Sequence, residues 1–432
     1  MKKHSKVNVL ILGSGGREHS IAWKISQSKK LDKLYVAPGN PGTSELANNI
    51  NLNITDYNAI KNVIIQNNIQ LLIIGPEIPL VNGLSDQLTN DKDVNNLIII
   101  GPSKEGAMLE GSKSFAKNFM TKYSIPTAKY KSFTSKEVKK AIDYVSELTP
   151  PYVIKADGLA AGKGVFICKN KQEAQNTINS VFFESKVGEA GKKIVIEEFL
   201  TGIELSVFIL TDGQSYKILP VAKDYKRIGE GETGLNTGGM GAVSPVPFAN
   251  KKFIEKVKKY IIDPTLSGLK KEGIKYVGFI FFGLINVSKD PYVIEYNVRL
   301  GDPESQVVIP RIDSDLLELL LSIESPEEFK NHSIEISPLN ASTIIMSAGG
   351  YPEAYNTGDK IHGIKKVENS IVFHAGTLKK EDDSLITNGG RVLAMTSLDN
   401  SMQKSISISY NNVKKIDFHG CYYRKDIGKD LF

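Results

Sequence analysis

Between residues 1 and 103, short runs of unbroken apolar residues alternate with amphipathic helical stretches, and few folds accommodate that pattern. The runs are VNVLILG, KLYVAPGN, LLIIGPE and LIIIGPS; the helical stretches include REHSIAWKISQS and DYNAIKNVIIQNN. Strands that are apolar on both faces need cover on both, so the pattern predicts a parallel sheet between two layers of helix. The first three runs open into GSGGREH, PGNPG and GPEIPL. Open parallel sheets bind ligands outside the carboxyl ends of their strands, so these loops are expected to share one rim and one site. GSGGREH is not a dinucleotide fingerprint. Its third glycine position holds Glu18, and the second run ends in VAPGN rather than in an acid for a ribose. That argues against NAD and a dehydrogenase. A glycine turn at a helix start still suits a single phosphate, and His19 reads as a structural or phosphate contact rather than an acid or base.

At 432 residues the chain has room for roughly two to four domains. A net charge of +6 without a basic block suits small anionic substrates and gives no footprint for nucleic acid. Two cysteines, Cys168 and Cys421, make neither a disulfide framework nor a metal site, and fit a reducing cytoplasm. The basic then apolar N-terminus is too short and too broken by glycine for a signal peptide, and no run approaches a membrane span. Residues 104–123 read as a helical connector. Residues 124–197 read as a small lobe of strand, helix, strand, hairpin, strand, helix and strand. Residues 198–328 bring longer strands and a helical stretch that Pro264 is expected to break or kink. Residues 329–432 turn strand-rich. The whole is a multidomain α/β (α+β) pattern.

The hairpin is DGLAAGKGV, residues 157–165. It fails as a P-loop: the spacing to Gly162 and Lys163 is one residue short, and Gly164 stands where a hydroxyl is required. It also runs from strand to strand. It is either a mobile lid over phosphates or a glycine-rich surface hairpin. Lys155, on the strand before it, is costly inside an apolar strand unless an anion such as a nucleotide phosphate pairs it; a snorkelling lysine is the alternative. Lys113 opens a helix, where it and the N–H groups suit an anion. In IEEFLTGIE, backbone groups near Glu197, Glu198, Phe199 and Leu200 would suit a nucleotide base, and Glu204 ribose hydroxyls; the plain reading is a charged turn.

The segment VIEYNVRLGDPE carries the most chemistry. Glu295 and Asn297 share a strand face and offer a carboxylate and an amide oxygen, hard ligands suited to Mg²⁺ together with phosphate oxygens. Arg299 projects from the same side unless the strand ends first, and would hold a phosphate or carboxylate. GETGLNTGGMGAVSP, with five glycines and no apolar pattern, is expected to be a mobile loop, with Asp224 and Lys226 just before it within reach of a site.

Taken in order, GSGGREH, APGNPGT, GPEIPLVNGL, LEGSKSFAK, IKADGLAAGKGV, IEEFLTGIE, NTGGMGA, IEYNVRLGDPE, AGGYP, TNGGRVL and RKDIG resemble the ATP-grasp carboxylate–amine ligases over nearly the whole chain. Within them they resemble the phosphoribosylamine–glycine ligase (glycinamide ribonucleotide synthetase) family. The resemblance implies a Rossmann-like N-terminal domain, a two-lobed ATP-grasp core and a C-terminal β-rich domain. It implies ATP with Mg²⁺ or Mn²⁺ as cofactors, and glycine and 5-phosphoribosylamine as substrates. Glycine would be activated as its acyl phosphate and captured by the amine, in purine biosynthesis. It places the phosphoribosyl group at Gly15, Gly16, Arg17, Asn40 and Glu77, and nucleotide at Lys113, Lys155, Gly162, Lys163, Gly164, residues 197–200 and Glu204. Glycine contacts fall to Arg299, Asp224 and the 236–241 loop with Asn236, Gly238 and Gly239, contacts to either phosphoribosylamine or glycine to Gly301 and Asp302, the metal to Glu295 and Asn297, and catalysis to Arg299, Lys163 and Asp224. The strand GFIFFGLIN lacks the acidic metal ligand frequent in the wider superfamily. The expected form is a cytoplasmic, monofunctional monomer without nucleic-acid or membrane partners. Another ATP-grasp ligase, a purine-pathway carboxylase and a non-catalytic nucleotide-binding module are the rival readings.

Overall fold

The computed structural model describes residues 6–160, 164–184 and 187–431. Five parallel strands open the chain, in the order Asn48–Asn49, Leu31–Pro38, Val7–Gly13, Leu71–Ile74 and Ile98–Ile100. The central strand is buried along nearly its whole length. Leu10 and Leu12 enter one apolar core and Val9 and Ile11 another, as the two-residue strand period requires. The Asn48–Asn49 edge strand, only two polar residues long, was invisible in the sequence pattern.

The small lobe is an antiparallel sheet in the order Tyr130–Thr134, Lys193–Glu198, Tyr152–Ala156 and Val165–Cys168, with two helices packed on its own core. Facing it is a second antiparallel sheet of Tyr216–Ile218, Ile203–Thr211, Gly278–Val287 and Asp290–Asn297. Its residues Leu205, Val207, Ile280 and Phe282 share a core with Leu10 and Leu12, so this sheet and the first pack as one body. Gly278, at φ +133°, marks the closest approach: a Cβ there would lie 3.0 Å from the Gly101 amide nitrogen. Pro264 does not break the following helix. Lys251–Val257 continues through a wider π turn at Lys258–Ile262 into Asp263–Lys271, and Pro264 follows directly on that π turn, where the helical hydrogen-bond ladder is already interrupted.

A five-stranded sheet closes the chain, in the order Lys223–Asp224, Gly241–Ser244, Asn340–Ser347, Arg391–Asp399 and Ile371–His374. Two of its strands come from the middle of the sequence. The stretch read as a mobile glycine loop is therefore ordered: it forms the Arg227–Gly229/Thr233–Asn236 hairpin and the Gly241–Ser244 strand. Glycine serves geometry here rather than motion, since Gly239 has φ +118° and a Cβ on Gly241 would lie 2.8 Å from the Thr343 carbonyl. Among the described residues no helix is long and apolar enough to cross a membrane.

Candidate active site

The slot between the small lobe and the second sheet is lined by buried lysines. Lys155 and Glu197 stand on neighbouring strands, and Lys117 reaches them from the Lys113–Lys122 helix. Lys117 Nζ is 2.9 Å from one Glu197 oxygen and donates to Thr127 Oγ1 at 2.7 Å; Lys155 Nζ is 2.9 Å from the other. The two lysines thus divide the two Glu197 oxygens between them. Burial drives the Lys117 ammonium down to about 8 although Glu197 opposes it. Burial also disfavours charge on Glu197, but Lys155 and Lys117 outweigh that and hold its carboxyl below the ordinary value. Two cations share one buried anion, so this side of the slot is locally cationic and suited to phosphate.

Lys113 donates to the Gly158 carbonyl at 3.2 Å, at the root of the hairpin. Asp157 fixes the helix start by accepting from the Ser114 amide at 2.6 Å and the Ser112 hydroxyl at 3.1 Å. Gly164 closes the hairpin's base, its carbonyl accepting from the Ala156 amide at 2.8 Å. Gly162 and Lys163, the expected lid tip, lie outside the described residues. Glu198 is used locally, accepting from the Lys129 amide at 2.9 Å, and Phe199 is exposed.

Across the slot the Asp290–Asn297 strand ends at Asn297. Arg299 therefore lies beyond the strand, yet still reaches the same patch. Its guanidinium donates to Glu110 Oε1 at 2.8 Å and Asn297 Oδ1 at 3.3 Å, and its Nε lies 3.3 Å from Glu77 without a hydrogen bond. Glu110 also accepts from the Val298 amide at 2.8 Å. Burial raises the Glu110 carboxyl despite Arg299; at Glu77, Arg299 and Arg17 outweigh burial and lower it. Glu295 faces Gly283, where a Cβ would press to 3.0 Å of its Cγ. Lys226 lies 3.9 Å from Glu295 and 3.1 Å from Glu204, so Glu204 joins this acidic group. Buried Asp224 feels Lys226, Glu304, Glu204 and Glu295, and burial raises its carboxyl to about 7. Among the described residues no three His, Cys, Asp or Glu side chains make a metal cage. Glu295 and Asn297 alone fit a hard divalent cation that takes its other oxygens from phosphate and water.

A second cleft, of about 730 Å³, lies where the first sheet meets the closing one. Ser14, Gly15 and Asn40 line one wall, Asp302 the floor, and Thr377, Lys379, Asn388 and Arg391 the other. Of the expected phosphoribosyl contacts, Gly15 and Asn40 line this cleft, and Gly16, Arg17 and Glu77 do not. The Asn40 side chain donates to the Ser14 and His374 carbonyls at 2.8 and 2.9 Å, tying the two walls. Arg17 is turned inward, donating to Glu18 at 2.7 Å and the Leu300 carbonyl at 3.2 Å. Asp302 lies 3.4 Å from Arg391, which donates to the Gly238 carbonyl at 2.8 Å. This draws the 238–239 turn and Gly301–Asp302 together, while Asn236 ends the neighbouring hairpin. His19 is structural: its Nδ1 accepts from the His374 amide at 2.8 Å, behind the cleft.

Sequence reasoning missed Glu110, Lys117, Glu304 and Arg391. Arg391 had the best signal, a cation after Gly–Gly at the mouth of an apolar strand. Glu110 and Lys117 sit in helices of mixed polar and apolar residues, where a buried charge cannot be told from a surface one.

A lysine-lined slot between two antiparallel sheets, with a Glu–x–Asn strand end opposite, defines an ATP-grasp ligase. Residues 7–110, 111–305 and 341–430 match, in turn, the N domain, the ATP-grasp (A) domain and the C domain of phosphoribosylglycinamide synthetase. The chain belongs to the phosphoribosylglycinamide synthetase family. It is 47% identical over 426 residues to phosphoribosylamine–glycine ligase of Fusobacterium nucleatum, spanning 98% of each chain. The crystal structure of phosphoribosylamine–glycine ligase from Thermotoga maritima superposes with a TM-score of 0.83 at 34% identity, covering 97% of this chain and 100% of that one. The biotin carboxylase domain of Hydrogenobacter thermophilus 2-oxoglutarate carboxylase shares the fold, with a TM-score of 0.71 at 16% identity over 96% of this chain and 91% of that one.

Proposed function

We propose that the chain ligates glycine to 5-phosphoribosylamine at the expense of ATP, releasing glycinamide ribonucleotide, ADP and phosphate. One observation carries the reading. The lysine slot and the Glu295–Asn297 strand end face each other, next to a cleft with anion-binding side chains, in a chain whose full-length relatives bear that ligase's name.

Lys113 and Lys155 bind the ATP phosphates, and Glu197 to Leu200 with Glu204 hold the nucleoside, Lys163 and its neighbours Gly162 and Gly164 closing over them. Glu295 and Asn297 would hold a divalent cation, Mg²⁺ or Mn²⁺, which would neutralise charge on the transferring phosphoryl group. Arg299, buttressed by Glu110 and Glu77, orients the carboxylate of glycine, and the acidic group around Asp224 faces its ammonium end. A glycine carboxylate oxygen attacks the γ-phosphorus and ADP leaves. The phosphoribosylamine nitrogen then attacks the acyl carbon, loses a proton and expels phosphate. The anhydride hydrolyses in water, so exclusion of solvent by the hairpin is part of the chemistry. Arg391, Lys379, Thr377 and Asn388 hold the phosphoribosyl group over Gly15, with Asp302 and the 238–239 turn positioned by Arg391.

Glycine labelled with ¹⁸O in its carboxylate should deliver one label to inorganic phosphate, and ADP release should need both co-substrates. Unlabelled phosphate, or ADP release supported by bicarbonate in place of glycine, overturns the reading. Glu295→Ala should raise the metal concentration for half-maximal rate by about tenfold or more; an unaltered titration places the metal elsewhere.

A further inference from the structure

The segment that brings Asp224 and Lys226 to the slot has a second face, and that face is gripped. The strand Lys223–Asp224 pairs Lys223 with Val243 and Asp224 with Ala242, and Tyr225 carries the pairing on, exchanging backbone hydrogen bonds with Gly241 and Met240 at 3.0 and 2.8 Å. Alternate side chains therefore point oppositely. Lys226 meets Glu204 and Glu295, and Asp224 feels the same carboxylates. Lys223 and Tyr225 turn away, and both donate to one carboxylate, Asp430; the Tyr225 hydroxyl lies 2.6 Å from Asp430 Oδ1 and Lys223 Nζ forms the second contact. The Lys223 ammonium also stands 4.5 Å from the Tyr225 ring centre, and the Arg424 guanidinium 5.3 Å from it. Arg424 is 1% exposed and pairs with Glu232 at 2.6 Å, on the hairpin that follows.

We propose that Asp430 is a positioning residue for the ligase reaction: by holding Lys223 and Tyr225 it fixes the twist of the strand and hence the aim of Asp224 and Lys226. Strand alternation makes the coupling direct, since rotating the outer face rotates the inner one. Asp430 touches none of the groups assigned to ATP or to the phosphoribosyl cleft, so its loss should be felt in turnover rather than in nucleotide binding. The inference rests on the role given above to the acidic group around Asp224, which Lys226 joins through Glu204 and Glu295.

The test uses the full chain with Asp430→Ala, Asp430→Glu and Tyr225→Phe, each assayed for ADP release dependent on glycine and phosphoribosylamine and normalised to folded protein by a melting curve. Asp430→Ala should lower kcat by about tenfold while the KM for ATP stays within about twofold. Asp430→Glu should recover part of the rate, and Tyr225→Phe, which keeps the ring and removes one donor, should lower kcat by about threefold. An unchanged kcat in Asp430→Ala, or a loss that vanishes on normalisation, overturns the proposal. If Asp430→Ala does not fold, Tyr225→Phe decides alone: wild-type kcat in it overturns the proposal equally. Wild-type chain lacking glycine-dependent ADP release would instead defeat the ligase reading itself.

Discussion

Glu110 has nothing in its neighbourhood to announce it, yet its two oxygens divide between the Arg299 guanidinium and the Val298 amide. A buried carboxylate so placed fixes both the side chain that would orient glycine and the backbone leading from it. Glu110→Gln keeps the shape and removes the charge, and the loss of one charge-assisted hydrogen bond is worth about 1.5–3 kcal/mol. We expect kcat/KM for glycine to fall about tenfold or more while the KM for ATP moves less than about twofold; steady-state rates with glycine varied check this, and an unchanged kcat/KM would detach Arg299 from glycine. Residues of this kind mark the limit of legibility. Glu295 and Asn297 were readable because a strand's two-residue period puts unlike polar groups on one face; Arg299 lies past the strand's end, where that period no longer applies. Glu110 and Lys117 were not, because their contacts are made by tertiary packing between segments remote in sequence.

The strands and helices were legible wherever burial imposed a period, and least so where glycine carried the geometry. The first sheet and the small lobe follow from unbroken apolar runs and their turns. The 231–245 stretch defeated the same reasoning, since a strand of small residues beside Thr343 has no apolar period to read. Glycine has another such use in the first sheet. Glu18 accepts from the Gly15 amide at 2.7 Å in a capping box, and its side chain runs where Cβ atoms on Gly13 and Gly75 would stand. A Cβ on Gly75 would lie 2.2 Å from Glu18 Oε1 and 2.6 Å from the Leu12 carbonyl. Neither neighbour can retreat, one being backbone and the other a buried carboxylate. Gly75→Ala should cost about 1–3 kcal/mol, as overpacking does. Urea unfolding checks it, and a cost below about 0.5 kcal/mol would mean that the rim is softer than its contacts imply.

At the scale of the whole molecule, the first and closing sheets meet through two buried histidines. Burial and His374 bring His19 down from 6.5 to about 3, and burial brings His374 to about 4. Both stay neutral in the folded chain and take up protons in the unfolded one, so their contribution is whole above the unfolded value of 6.5. It is lost as pH falls through the window from 6.5 towards about 3. The urea midpoint should therefore drop between about pH 7 and pH 5, by an amount worth a few kcal/mol, and more shallowly in His374→Gln. Equal slopes would place the acid sensitivity elsewhere. The domain order was legible from the sequence. The pairing of sheets was not, because a histidine on a helix gives no hint of its partner, which here lies 355 residues away. That same long-range meeting walls the second cleft, with Ser14 and Asn40 on one side and Arg391 on the other. Translation delivers the first wall long before the second, so on the ribosome the cleft exists only as an open shelf. An unfinished polypeptide therefore carries one wall of that cleft without its counterpart.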